Sequence, residues 1–231
     1  MTKKIGMDAL SDEKILDSWG KNASPWAKAI QDKQIESRRL VTDQAIIDAI
    51  LSIKGKNILD IGCGEGWLVR ELSTLGFSVT GVDAVNELIN KAKKLGGGSY
   101  KTLKYEKITS RTVDEKYDIA ICNFSLLGKE SVEHIFNVVP SILSNGGAFI
   151  IQTLHPNISC GDLPYSDGWR EGSWAGFSNE FSDPAPWYFR TIESWFNLFN
   201  KNGFMFNQIK EPINFKTGKA SSLIMVGSVT T

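Results

Sequence analysis

The stretch Ile58-Leu-Asp-Ile-Gly-Cys-Gly-Glu-Gly66 decides the fold. Residues 56–61 form an apolar run that ends directly in Gly62-x-Gly64-x-Gly66. Trp67, Leu68, Leu72 and Leu75 then share one helical stripe, which Gly76 stops. The order is strand, glycine turn, helix. Glycines suit such a turn because a side chain would keep backbone N–H groups away from a ligand.

Working outward, the alternation continues. Residues 77–82 predict a second strand ending in Gly81-Val-Asp83, and 86–95 a helix closed by the glycine triplet at 96–98. Residues 100–108 read as a third strand, 117–122 as a fourth, 130–143 as a helix, Asn145-Gly-Gly147 as its turn and 148–153 as a fifth strand. The pattern predicts an α/β fold: a Rossmann-like, doubly wound, mostly parallel sheet of seven strands with helices on both faces. Residues 204–210 and 222–228 have no helix between them, which predicts an antiparallel last strand. Upstream, residues 8–53 read as helical throughout. The expected organisation is one domain over 1–231, with an N-terminal helical cap at 1–53 and a core at 54–231 that carries an aromatic-rich loop at 156–190.

Composition narrows the function. The chain has 231 residues, and its 26 Lys+Arg against 26 Asp+Glu leave no net charge, which weighs against a nucleic-acid partner. Cys63, Cys122 and Cys160 lack disulfide or zinc spacing, so no metal is expected. The opening Met-Thr-Lys-Lys-Ile-Gly has no apolar run behind its lysines, and no segment is long enough to span a bilayer; a cytoplasmic monomer or homodimer is the expectation.

In a doubly wound sheet the carboxyl ends of the first two strands border one crevice, so the glycine turn and Asp83 together predict a nucleoside-bearing ligand. A dinucleotide would want a small residue where Trp67 stands, and no Gly-Lys-Ser/Thr closes the turn as in a nucleotide P-loop.

Asp60-Ile-Gly-Cys-Gly-Glu-Gly66, Asp83, Asn123-Phe-Ser-Leu126 and Asn145-Gly-Gly147 together resemble class I S-adenosylmethionine-dependent methyltransferases, specifically the small-molecule enzymes of the ubiquinone-biosynthesis type. That resemblance implies S-adenosylmethionine as cofactor and S-adenosylhomocysteine as product. It implies that Asp60, Gly62, Cys63 and Gly64 meet the methionine part, that Asp83 and Ala84 meet the ribose, and that Asn123 and Phe124 lie near the sulfonium. Relatives carry an acid after the third strand for adenine; Lys107-Ile-Thr-Ser110 has none, leaving backbone groups or Thr109. Arg38, with Arg39 beside it, is a candidate partner for the methionine carboxylate.

His155, after the fifth strand, is the candidate group to deprotonate or hydrogen-bond the acceptor. His134 reads as solvent-facing. Trp169, Arg170, Trp174, Trp187 and Tyr188 are expected to wall an acceptor pocket, with Asp167 and Arg190 as further polar anchors. The expected reaction is methyl transfer to a small molecule, first to oxygen; C- or N-methylation and a non-catalytic S-adenosylmethionine binder are the alternatives, and a nicotinamide oxidoreductase is weakened by Trp67.

Overall fold

A computed structural model describes residues 9–113 and 115–230. The opening residues read above for targeting lie outside this range.

Ser11 caps helix α1 (Asp12–Gln31) by accepting from the Lys14 N–H, and acids in the first turn suit its dipole. The cap segment is not one continuous helix. It breaks at 32–35, where Lys33 turns left-handed, resumes helically at 36–37 and passes through a π-turn, Arg38–Thr42, into α2 (Asp43–Leu51). The core follows as β1 (Asn57–Ile61), α3 (Trp67–Thr74), β2 (Ser78–Asp83), α4 (Asn86–Leu95), β3 (Ser99–Thr102), β4 (Tyr117–Asn123), α5 (Glu130–Ile142) and β5 (Leu143–Thr153). Next come a single turn α6 (Pro156–Ser159), the short strands β6 (Gly168–Arg170) and β7 (Trp187–Phe189), and α7 (Ile192–Lys201). The chain closes with β8 (Phe204–Lys210), a small hairpin of β9 (Ile213–Asn214) and β10 (Lys219–Ala220), and β11 (Leu223–Val229).

The main sheet has the order β3-β2-β1-β4-β5-β11-β8. β11 runs antiparallel to both its neighbours, so the expected seven-stranded sheet with an antiparallel last strand is present. Two expectations fail locally. The third strand stops at Thr102, and a 3₁₀ turn (Tyr105–Lys107) occupies the rest of its expected span. Asn145-Gly-Gly147 does not form a separate turn; it lies inside β5 as an irregularity in the pairing with β4.

One face of the sheet packs Leu59, Ala120, Phe149 and Met225 under α5 and α7, whose Phe136, Trp195 and Phe199 make an aromatic core. The other face packs Ile58, Ile119, Ile121, Ile150 and Ile224 under α2, α3 and α4. Strand alternation puts Asp60, Asn123 and Gln152 on this second face, at the carboxyl ends of their strands. A polar row thus follows the apolar one as the sheet reaches its top edge.

Candidate cofactor and acceptor site

The glycine turn is held by its neighbours. The N–H groups of Gly62 and Cys63 both donate to the Val82 carbonyl, at 2.8 and 3.0 Å, so they are committed to β2 and not free for a ligand. Gly62 has φ +79, and a Cβ there would meet Ser125 Cβ at 2.4 Å and the Tyr105 hydroxyl at 2.5 Å. Its lack of a side chain therefore serves packing as much as access. Gly64 differs: φ is +58, and the nearest atom to a Cβ would be Trp26 Nε1 at 3.9 Å. The turn faces a space at Gly64 that an indole of α1 overhangs. Cys63 is buried, its Sγ against Gly81.

Asp83 accepts from the N–H groups of Gly64 (2.9 Å) and Val85 (2.8 Å), which ties the end of β2 to the turn. Burial pushes its carboxyl above the usual range, against those two N–H groups. Asp60 is 2% exposed, and its Oδ1 has no hydrogen-bond partner among the described residues. Burial first, and the neighbouring Asp83 second, push its carboxyl up to about 7.

Arg38 stacks on the residue that follows the glycine turn, its guanidinium 4.6 Å from the centre of the Trp67 ring. Nε donates to Asp43 Oδ1 at 2.9 Å, while the buried Nη2 has no partner among the described residues. Asn123 Oδ1 and Gln152 Oε1 are likewise buried and unmet; Gln152 Nε2 donates to Ser222 Oγ at 2.9 Å. Phe124 takes a left-handed φ of +54, and its N–H donates to the Gln152 carbonyl at 2.7 Å, which turns the chain sharply at the end of β4.

A cavity of about 490 Å³ opens between α1 and the ends of β2 and β3, lined by Asp17, Gly20, Ala84, Asn86 and Lys104. Lys104, not Thr109, is the post-β3 residue at this cavity; Thr109 is bonded into a local turn with Thr112. Because β3 ends early, the segment after it does contain a carboxylate, the exposed Glu106. His134 is half-buried, its Nε2 3.2 Å from the Ile108 carbonyl, where exposure to solvent was expected.

The aromatic loop divides into two clusters. Trp174 packs with Phe177 and Phe181 and meets Trp19 of α1 at 5.8 Å, with Trp26 against Phe177. Asn22 binds the Ser182 backbone twice, donating to its carbonyl (2.7 Å) and accepting from its N–H (2.9 Å). Lys14 and Lys21 both reach Asp183. Trp169 and Tyr188 instead face each other across the β6–β7 ladder at 5.5 Å, and Trp187 packs on Phe189. Arg170 donates from Nη2 to the carbonyls of Pro164 and Ser166, and Arg190 from its guanidinium to those of Gly128 and Lys129, so both arginines brace loops. Asp167 accepts from the Thr191 N–H.

His155 is 4% exposed, with Nε2 2.6 Å from Glu211 Oε1 and Nδ1 buried without a partner among the described residues. Glu211, Tyr105 and Gln152 carried no signal in the sequence; each is brought to the site by the topology, and none belongs to a local motif. Ser125 lies within Asn123-Phe-Ser-Leu126, where its own side chain was not singled out.

The family model for the methyltransferase domain matches residues 36–208. The chain belongs to the methyltransferase-domain family. A ubiquinone biosynthesis O-methyltransferase from Paraburkholderia phymatum is 31% identical over 116 residues, covering 48% of this chain and 50% of that protein. One from Bradyrhizobium diazoefficiens is 34% identical over 111 residues, covering 45% and 42%. This methyltransferase-family chain thus spans about half the length of the curated relatives it matches. Among solved structures, an S-adenosylmethionine-dependent methyltransferase from Mesorhizobium loti superposes with a TM-score of 0.59 at 22% identity over 76% of this chain and 92% of that one. The DhpI–SAH complex superposes at 0.68 and 15% identity over 97% and 99%. By family the protein is a methyltransferase-domain protein, and it shares its fold with S-adenosylmethionine-dependent methyltransferases of known structure.

The residues present fit that cofactor. An unmet buried acceptor, Asp60 Oδ1, and an unmet buried donor, Arg38 Nη2, stand beside the glycine turn. An amino acid moiety with an ammonium and a carboxylate supplies the complement of both. Among the described residues no helix is long and apolar enough to cross a membrane.

Proposed function

We propose that the protein transfers the methyl group of S-adenosylmethionine to an oxygen of a small acceptor molecule. The observation that carries the cofactor half is the unmet pair, Asp60 Oδ1 and Arg38 Nη2, because buried polar groups without partners are rare unless a ligand completes them. Asp60 would take the ammonium and Arg38 the carboxylate. Gly62, Cys63 and Gly64 would form the floor, Asp83 with Ala84 would hold the ribose, and Asn123 and Phe124 would border the sulfonium. The cofactor supplies an activated methyl whose sulfur departs uncharged. The chain's own task is then alignment, exclusion of water and handling of one proton.

The O-methyl reading is supported by the names of the curated relatives and by His155, a buried imidazole with an open ring nitrogen at the end of β5. Trp174, with Trp26 and Trp19, would shield the cofactor. Trp169, Arg170, Trp187 and Tyr188 would shape the acceptor side.

Calorimetric titration with S-adenosylhomocysteine tests the cofactor half, and transfer of labelled methyl into a metabolite extract tests the reaction. Wild type is expected to bind, and Asp83→Ala to lose at least about 1.4 kcal/mol, tenfold in affinity. A folded wild type that ignores the ligand at millimolar concentration overturns the proposal.

A further inference from the structure

We infer that Glu211 is a positioning residue for His155, holding the imidazole proton on Nε2 so that Nδ1 is left as the acceptor for the substrate's proton. This rests on the proposed function.

His155 stands two residues past the end of β5, and its carbonyl accepts from the N–H groups of Ile158 and Ser159, so the backbone of this residue is fixed by the turn of α6. Glu211 directly follows β8. β8 runs in the same sense as β5 with β11 between them, so the two residues emerge at the same edge of the sheet. They meet at 2.6 Å. An ionised carboxylate can only accept, so the bridging proton belongs to Nε2 and the neutral ring presents its lone pair at Nδ1. That nitrogen is buried and unmet among the described residues, which a histidine serving structure alone avoids.

The burial is asymmetric. The His155 side chain is 4% exposed and that of Glu211 54%. The carboxylate keeps most of its water, while the ring it orients does not. In the transfer, the acceptor's O–CH3 bond forms as its O–H bond breaks. The O–H electron pair stays on oxygen, the C–S pair stays on sulfur, and the proton passes to Nδ1. The imidazolium so formed faces the Glu211 carboxylate until the proton leaves to solvent.

Long-range 1H–15N spectra of protein labelled at histidine nitrogen test this without knowledge of the acceptor. The chain has two histidines, and His134→Gln assigns them. Wild-type His155 is expected to show the Nε2–H tautomer, Glu211→Ala to lose that preference, and Glu211→Gln to restore it, because its amide oxygen still accepts. All three should bind S-adenosylhomocysteine within twofold of one another, and Glu211→Ala should lower methyl transfer into a metabolite extract about tenfold. An Nδ1–H tautomer in wild type, or an unchanged tautomer in Glu211→Ala, overturns the inference while cofactor binding stands. Full transfer by His155→Ala removes the base itself, and absent S-adenosylhomocysteine binding removes the methyltransferase reading.

Discussion

Asp60 and Asp83 end neighbouring strands, and no cation bridges them among the described residues; this sets a pH dependence for the free protein. Asp60 titrates near 7 when folded and near 3.8 in an open chain. Between those values the folded form holds a proton that the unfolded form has released, so raising the pH through this window lowers stability. The ceiling is about 4 kcal/mol, at roughly 1.4 kcal/mol for each tenfold change in proton affinity. Asp60→Asn cannot ionise. Its urea-unfolding stability relative to wild type is expected to rise from pH 5 to pH 8, while its affinity for S-adenosylhomocysteine falls. A flat difference across that range removes the account. Asp60 and Asp83 were legible in the sequence because strand, turn and acid are local signals. Glu211 was not, because its meeting with His155 depends on two strands pairing on β11 across 56 positions of chain.

At the scale of elements, the regular α/β alternation was readable from period and punctuation, and β8 falls on its expected span. The failures have physical causes. Residues 103–108 have strand-like composition, but Tyr105 leaves the edge to donate its hydroxyl to the Ser125 carbonyl beneath the glycine turn. The cap looked like one helix because nothing between 32 and 35 is a strong breaker; its left-handed residue is a lysine. The aromatic loop showed no period because it is pinned by side-chain bonds to α1. That pinning is unequal. Asn22 is fully buried with two bonds to the Ser182 backbone, whereas Lys21 makes exposed ion pairs with Asp17 and Asp183. Asn22→Ala is expected to cost about 1–3 kcal/mol, and Lys21→Ala, whose ion pairs are exposed and screened by solvent, clearly less. Urea midpoints compare the two, and equal losses would mean that the charges hold the loop.

Across the whole molecule, α1 ties together α4, the start of α5 and the aromatic loop. Asp12 accepts from the N–H groups of Lys129 and Ser131 at the start of α5, Ala23 and Ala27 pack on Leu88 of α4, and Asn22 holds the aromatic loop. Bound S-adenosylhomocysteine is therefore expected to slow amide hydrogen exchange in α1 and in residues 174–183 together. Protection confined to one of them would show that they do not act as a unit. The same junction stacks Trp19 edge-on to Trp26 at 5.0 Å and to Trp174 at 5.8 Å. Indoles this close couple their electronic transitions, so the protein carries its own optical gauge: near-ultraviolet ellipticity and emission colour should follow the gap between helix and loop in real time, with no dye attached.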